Sequence, residues 1–266
     1  MADIPPVTLP GTEEHVLHTP AGEYRLWLAI PAAPPPPGGH PVITLLDANA
    51  GFGLVTDIAR ASALRAGVTG IPPAVVAGLA YPGDAPFHRA RRMLDYTPGP
   101  PAAEPAPHPT GGRDAFLAAL RGPVAGRIAE RCAVDPARRV LVGHSLAGFL
   151  ALDILAHDAE AFAGFVAISP SVWWNPARLA FARRPAPPRV AIAVGQYEQG
   201  LTPWETPSAA TADRRERRAM VDHARDAAVR LEGAGYPVQF HCAEGETHGS
   251  VMAVALGRAL RFVMGS

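Results

Sequence analysis

Short apolar runs recur along the chain and are separated by turn residues and by longer amphipathic segments. Most of these runs are rich in β-branched and aliphatic side chains, and continuous runs of this kind predict strands buried on both faces of a sheet. The predicted strands are Glu14–Thr19, Tyr24–Ile30, Val42–Leu46, Ala74–Leu79, Val140–Val142, Phe165–Ile168, Arg189–Gly195 and Val238–Cys242.

The longer segments place apolar residues at helical spacing. They predict helices at Phe52–Ala66, Asp114–Cys132, from Leu146 onward, at Ala212–Leu231 and at Ser250–Met264. Strands that alternate with helices in this way indicate an α/β fold with a mainly parallel central sheet and helices on both faces. In such sheets the ligand site lies beyond the carboxyl ends of the strands.

Composition agrees with one large α/β domain spanning residues 1–266. Hydrophobic residues make up 48% and charged residues 18% of the chain, and the formal net charge is zero. A neutral chain gives no electrostatic reason to expect nucleic acid or an anionic membrane surface as a partner. The first residues lack the basic and apolar regions of a signal peptide, and no run approaches the roughly 18 apolar residues of a membrane span. We therefore expect a soluble cytoplasmic protein.

The cysteines and prolines add two further expectations. Cys132 and Cys242 are the only cysteines and have no neighbours at metal-ligand spacing, so we expect free thiols, with a single disulfide as the alternative, and no metal or cofactor. The 30 prolines concentrate in connecting stretches. The Pro- and Arg-rich segment at about 81–112 is long and irregular, and long irregular segments inside a domain are usually functional. We interpret it as a lid-like insertion.

Ser145 lies where a predicted strand becomes a predicted helix, in Gly143-His-Ser145-Leu-Ala147. This order predicts a nucleophile elbow, in which the serine hydroxyl projects from the end of the sheet. The usual pattern has Gly where this chain has Ala147, with Gly148 one position later. An ordinary helix N-cap serine is the alternative interpretation.

A serine hydroxyl needs a base, and in this fold class the acid and the histidine follow the serine in that order. His248 lies between the last strand and the last helix and is the candidate base. Glu198 follows the strand that ends at Gly195 and is the candidate acid, with Asp213 and Glu205 as fallbacks. A Ser–His dyad without an acid is a further alternative.

Two backbone N–H groups are the candidate oxyanion donors. The elbow aims the N–H of Leu146 at the developing oxyanion, and the N-terminus of the following helix adds positive potential. The second donor should come from the loop after Val42–Leu46, where Asn49 is favoured and Ala48 is the alternative.

Several motifs together make the chain resemble the esterase D-type α/β-hydrolases. They are the elbow, Ser169-Pro-Ser-Val-Trp-Trp-Asn175, Val194-Gly-Gln-Tyr-Glu-Gln199, Thr247-His-Gly249 and Arg92-Met-Leu-Asp-Tyr-Thr-Pro98. Within that group the chain is most similar to the ferric-siderophore esterases, which hydrolyse enterobactin, salmochelin or bacillibactin trilactones. The resemblance implies an α/β-hydrolase fold with Ser145 as nucleophile and His248 as base. It also implies that Arg92, Trp173 and Trp174 lie near the substrate.

Each of these substrate residues has a plainer interpretation. Arg92 could bind an anionic ligand, or it could pair with Asp95 to hold its loop. Of Trp173 and Trp174, we expect one in the core and one at the rim of the pocket. The arginine-rich run 214–218 is interpreted as a solvated helix face.

We therefore predict a serine esterase that hydrolyses a small-molecule carboxylic ester through an acyl-enzyme, with a ferric-siderophore trilactone as the candidate substrate. The alternatives are an esterase or thioesterase for another acyl group, such as S-formylglutathione or a feruloyl ester, an acyltransferase, or a non-catalytic binding protein. The oligomeric state is not predicted.

Overall fold

A computed structural model describes residues 7–206 and 208–265, and within them the chain forms an eight-stranded sheet in the order β1-β2-β4-β3-β5-β6-β7-β8. The strands β1 and β2 and the pair β2 and β4 are antiparallel, and all other neighbours are parallel. The bounds are β1 Thr12–Thr19, β2 Gly22–Ala29, β3 His40–Leu46, β4 Val75–Ala80, β5 Val134–His144, β6 Gly164–Ile168, β7 Arg189–Gly195 and β8 Val238–Ala243.

Helices cover both faces of this sheet and enclose two apolar cores. Helices α6 and α8 pack on one face, and α1 and α9 pack on the other. Their bounds, with the remaining helices, are α1 Ala48–Ala63, α2 Ala66–Thr69, α3 Arg89–Asp95, α4 Arg113–Ala119, α5 Ala125–Arg131, α6 Leu146–Asp158, α7 Ala209–Arg218, α8 Met220–Gly233 and α9 Val251–Met264. The predicted α/β-hydrolase architecture, a mainly parallel sheet between two helical layers, is confirmed.

The predicted helix Ala212–Leu231 is wrong in one respect, because the structure divides it into α7 and α8. Ala219 separates them in a left-handed backbone conformation, with φ at 38°, and its N–H donates to the Arg215 carbonyl. The chain turns here between Arg218, which stacks on Trp173, and the buried Met220. Helical periodicity continues across Ala219 and does not reveal this break.

The predicted helix Asp114–Cys132 is also interrupted, by a π-helical turn at Leu120–Val124 that joins α4 to α5. Pro123 lies inside this turn. Proline has no N–H to donate, and its ring crowds the carbonyl of the preceding helical turn, so the regular hydrogen-bonding ladder cannot continue.

The segment 81–112 is more ordered than the sequence indicates, because it contains helix α3. Its later part is bonded to the turn that follows β6. The N–H of Ala102 donates to the carbonyl of Trp174 at 2.8 Å, and the Trp174 indole N–H donates to the Gly99 carbonyl at 3.0 Å. Whether this segment acts as a lid stays a prediction.

Other sequence expectations meet the structure at three places. Both cysteines are free, so the disulfide alternative is not formed. The start of the chain, where no signal peptide is predicted, includes residues 1–6, which lie outside the described residues. Within the described ranges, no helix has the length and apolar character to span a bilayer.

Candidate active site

The parallel strands point their carboxyl ends at one edge of the sheet, and the candidate residues follow these ends. Ser145 follows β5, Glu198 follows β7 and His248 follows β8. Adjacent parallel strands bring their following loops together, so residues distant in sequence become neighbours.

Ser145 occupies a strained turn between β5 and α6. Its backbone has φ 61° and ψ −117°, a region that non-glycine residues rarely adopt. Two backbone hydrogen bonds fix Ser145 in this conformation. The Ser145 N–H donates to the Ile168 carbonyl at 2.9 Å, and the Ser145 carbonyl accepts from the Ser171 N–H at 3.0 Å. This turn directs the hydroxyl away from the start of α6, where it makes no capping hydrogen bond.

Close strand-to-helix contact explains which positions around Ser145 are small. A Cβ added at Gly143 would lie 2.2 Å from the carbonyl oxygen of Ala147, and one at Gly148 would lie 3.0 Å from the Ile168 carbonyl oxygen. Ala147 is itself completely buried. Alanine is therefore accommodated where the usual pattern has glycine, and the tight positions in this chain are 143 and 148.

Ser145, His248 and Glu198 form a continuous hydrogen-bonded chain. The Ser145 Oγ lies 3.1 Å from His248 Nε2, and His248 Nδ1 lies 2.7 Å from Glu198 Oε2. An ionised carboxylate only accepts hydrogen bonds, so Nδ1 carries the proton and Nε2 is left to accept from the serine. The imidazole is about half exposed, whereas the Glu198 side chain is fully buried.

Glu198 is bound by donors on both carboxylate oxygens. Its Oε1 accepts from the Gly195 N–H at 2.7 Å and from the Ser169 hydroxyl at 2.5 Å, while Oε2 faces His248. Burial raises the pKa of this carboxyl, but the hydrogen bonds and the charge of His248 outweigh burial and lower it below its ordinary value. Glu198 is therefore ionised at neutral pH.

The loops carrying Glu198 and His248 are also joined through their backbones. The Tyr197 N–H donates to the Glu246 carbonyl at 2.9 Å. A Cβ at Gly195 would lie 2.6 Å from that same carbonyl oxygen, so only glycine permits the two loops to approach this closely.

His144 contacts His248 and fixes the loop that carries it. The sequence analysis did not select His144. Its Nε2–H donates to the His248 carbonyl at 3.0 Å, and the two imidazole rings lie 4.6 Å apart. Burial, with the nearby His248, lowers the pKa of His144 to about 4. Its ring is therefore neutral across the physiological range.

The predicted second oxyanion loop begins at Asp47 and runs into α1. The side chain of Asn49 binds the exit of β4, accepting from the Tyr81 N–H at 2.8 Å and donating to the Tyr81 and Gly83 carbonyls at 3.0 and 3.1 Å. Ala48 and Asn49 are the first residues of α1, and N–H groups in a first helical turn have no carbonyl partner within their own helix. The same holds for Leu146 at the start of α6.

The fallback acids are engaged elsewhere. Glu205 binds the Arg215 guanidinium through both carboxylate oxygens, at 2.7 and 2.9 Å, and Asp213 pairs with Arg217. Among these carboxylates, Glu198 is the one whose oxygen contacts His248.

A cavity of about 680 Å³ opens at Ser145 and His248. Arg214, Arg215 and Arg218 line it, so the arginine-rich run interpreted as a solvated helix face also borders the cavity, while Arg217 forms an i,i+4 pair with Asp213. A sequence-local pattern cannot show this, because the cavity is lined by residues from separate parts of the chain. The aromatic part of the lining consists of Trp173, Tyr197 and Trp204.

The structure separates the two neighbouring tryptophans. Trp174 is buried in the core, whereas Trp173 lies at the cavity with the Arg218 guanidinium 3.9 Å from its ring centre. A guanidinium over an indole is a cation–π contact. Trp173 is therefore the member of the pair that a ligand in the cavity can reach.

Arg92 contacts other parts of the protein. Its Nε–H lies 2.9 Å from both carboxylate oxygens of Asp47, and one terminal N–H donates to the His144 carbonyl at 3.4 Å. The alternative of an Arg92–Asp95 pair is wrong, because Asp95 pairs with Arg91. The side chain that the sequence places near the substrate thus joins two loops of the site.

A serine on an elbow, a histidine after the last strand and a carboxylate after the preceding strand define the α/β-hydrolase class. The family model named Esterase, described as "Putative esterase", matches residues 18–233. The chain belongs to this Esterase family and is an ester hydrolase.

Curated relatives and solved structures agree with that family. The chain is 31% identical over 279 residues to the ferri-bacillibactin esterase BesA of Bacillus subtilis, covering 97% of this chain and 91% of that protein. It is 31% identical over 287 residues to the siderophore triacetylfusarinine C esterase of Aspergillus fumigatus, covering 98% and 96%. The BES protein of Bacillus cereus aligns with a TM-score of 0.83 at 27% identity over 100% of both chains.

Proposed function

We propose that this protein is a serine esterase that opens an ester of a ferric siderophore, with a trilactone as the preferred substrate. His248 Nε2 takes the Ser145 proton as Oγ attacks the ester carbonyl, and Glu198 keeps Nδ1 protonated and stabilises the imidazolium. The N–H groups of Leu146 and Asn49 hold the oxyanion.

Water is the one co-substrate that this reaction requires. Collapse of the tetrahedral intermediate breaks the bond between the carbonyl carbon and the alcohol oxygen, and the imidazolium returns its proton to that oxygen. Water then attacks the acyl-Ser145 ester, His248 accepts its proton, and the carboxylic acid leaves as the serine hydroxyl is restored. The observation that carries this proposal is the hydrogen-bonded chain from Ser145 through His248 to Glu198, at 3.1 and 2.7 Å.

Two observations support the siderophore as substrate. Relatives that align along almost their whole length bear the names of siderophore esterases. The cavity at Ser145 is large, and Arg214 and Trp173 in its lining suit an anionic complex with planar acyl groups. Their combination at the nucleophile favours a bulky anionic ester over a small neutral one.

Ser145→Ala tests the nucleophile. With p-nitrophenyl butyrate we expect kcat/KM to fall by about 10³-fold or more. Ser171→Ala is the matched control, because its hydroxyl lies 3.4 Å from that of Ser145 but, among the described residues, forms no hydrogen bond with the His248 ring. Activity of Ser145→Ala equal to that of the wild type, or loss of fluorophosphonate labelling only in Ser171→Ala, contradicts the proposed nucleophile.

A substrate panel tests the acyl group. Ferric bacillibactin, iron-free bacillibactin, S-formylglutathione and a feruloyl ester are compared at equal concentration, with chromatography of the released acid as readout. We expect kcat/KM to be highest for the ferric trilactone, because the Arg214 guanidinium in the cavity lining can bind an anionic complex. A higher value for the glutathione or feruloyl ester refutes the siderophore assignment and leaves the esterase chemistry standing.

A further inference from the structure

The two helices that supply the proposed oxyanion donors are each preceded by a polar residue whose side chain does not cap the helix. Asp47 precedes α1 and Ser145 precedes α6, and neither side chain accepts a hydrogen bond from its helix. Aspartate and serine are among the preferred N-cap residues because their oxygens accept from the first N–H groups of a helix. In this protein neither side chain caps its helix, so the N–H groups of Ala48 and Asn49 in α1 and of Leu146 in α6 receive no oxygen from it.

For Asp47, the cause is visible in its contacts. The residue has φ 55°, and its carboxylate turns away from α1 to bind Arg92 and the Tyr96 hydroxyl, the latter at 3.0 Å. The carboxylate is nearly fully buried and the Arg92 side chain is only 12% exposed. Burial raises the pKa of Asp47, whereas Arg92 and Tyr96 favour its charged form.

Arg92 also contacts the loop that carries the other donor. Its terminal N–H reaches the carbonyl of His144, the residue before Ser145, at 3.4 Å. One guanidinium therefore contacts Asp47, immediately before α1, and His144, two residues before the start of α6. We infer that Arg92 is a positioning residue for the oxyanion hole, which holds the Asp47 carboxylate away from the N–H groups of α1 and keeps them free for the substrate.

This inference rests on the proposed function and deepens it, because it concerns the same oxyanion. A carboxylate released from Arg92 could rotate to the positive end of α1, where helix N–H groups attract anions. It would then occupy the donors and place negative charge next to the developing oxyanion. Losing Arg92 should therefore slow the chemical step more than it weakens substrate binding.

Arg92→Met is the direct test. We expect kcat for p-nitrophenyl butyrate to fall by about 10²-fold, the size of effect seen when an oxyanion donor is lost, with KM changed by less than about threefold. Inhibition by a trifluoromethyl ketone, whose adduct carries the oxyanion, should weaken in parallel with kcat. A change confined to KM overturns the inference.

Arg91→Met is the matched control. Arg91 lies on the same helix and pairs with Asp95, another buried carboxylate, at 3.4 Å. Its guanidinium contacts Tyr24 and Tyr81, not the loops before α1 or α6. If Arg91→Met lowers kcat as much as Arg92→Met does, the effect is a general loss of stability and the inference fails.

The double variant Arg92→Met with Asp47→Gly separates positioning from folding. Glycine has no side chain that could occupy the N–H groups of α1, and it suits the positive φ at position 47. We expect kcat of the double variant to be at least tenfold higher than that of Arg92→Met. If Arg92→Met does not fold, we expect kcat of the double variant to be more than tenfold higher than that of Ser145→Ala. A double variant as inactive as Ser145→Ala overturns the inference. Ser145→Ala as active as the wild type instead refutes the proposed function itself.

Discussion

Replacing Glu198 by glutamine tests whether the carboxylate controls the protonation of His248. In the wild type, Oε1 already accepts from the Gly195 N–H at 2.7 Å and from the Ser169 hydroxyl at 2.5 Å. A glutamine must keep its oxygen at that position, because the reverse orientation would place its NH₂ against a buried backbone N–H. The NH₂ group then faces His248 Nδ1.

An NH₂ group at that position requires Nδ1 to accept, so the ring proton moves to Nε2. Nε2 can then no longer accept the proton of Ser145, although every heavy atom stays in place. A carboxylate-to-amide change that selects the wrong tautomer costs about 10⁴-fold in kcat in a serine protease triad. We expect a loss of about 10³- to 10⁴-fold here, which corresponds to about 4–5.5 kcal/mol of transition-state stabilisation.

The assay is kcat/KM for p-nitrophenyl butyrate, measured from single-exponential or steady-state progress at several pH values. Glu205→Gln is the matched control, since Glu205 also lines the cavity but binds Arg215 rather than the histidine. Its activity should stay within about tenfold of the wild type. If Glu198→Gln also stays within tenfold while Ser145→Ala is inactive, the enzyme works as a Ser–His dyad and the tautomer argument is refuted.

Two further predictions concern the elbow. Gly143→Ala should lower the free energy of unfolding by about 3 kcal/mol or more, because the new Cβ would lie 2.2 Å from the Ala147 carbonyl oxygen. Gly53→Ala, on the open surface of α1, is the control and should raise the free energy of unfolding by up to about 1 kcal/mol. Urea titrations measure both changes. In the folded protein His144 stays neutral down to its pKa of about 4, whereas in the unfolded chain it binds a proton below pH 6.5. The free energy of unfolding should therefore fall by up to about 3 kcal/mol as the pH drops from 6.5 to 4. His144→Gln should flatten that part of the curve of unfolding free energy against pH, and an unchanged slope would contradict the lowered pKa.

The sequence predicts the frame of the site well because the relevant signals are local. Continuous apolar runs at Val42–Leu46 and Arg189–Gly195 coincide with buried strands. A strand that is covered on both faces has apolar residues at successive positions, and such a run is recognisable in the sequence. Chain order and strand ends then suffice to select Ser145, Glu198 and His248, and the structure brings these side chains into hydrogen-bonding contact.

The rest of the site depends on long-range contacts that periodicity does not encode. Arg218 has the local appearance of a solvated helix residue, yet the left-handed turn at Ala219 brings it onto Trp173. Arg92 has the appearance of a ligand-binding arginine, yet it pairs with Asp47, which lies 45 positions earlier. Neither contact is visible in the sequence, because a charged side chain shows what it can bind but not which partner the fold brings to it.

The starts of α1 and α6 share an arrangement that connects stability to chemistry. A capping side chain typically stabilises a helix by about 1 kcal/mol. The side chains of Asp47 and Ser145 do not form a capping hydrogen bond with the helix that each precedes. Asp47 gives its oxygens to Arg92, and the Ser145 hydroxyl faces His248. Both residues also have a positive φ, at 55° and 61°, which turns their side chains from the helix axis. In the proposed mechanism, the oxyanion accepts from the N–H groups that these two side chains leave uncapped.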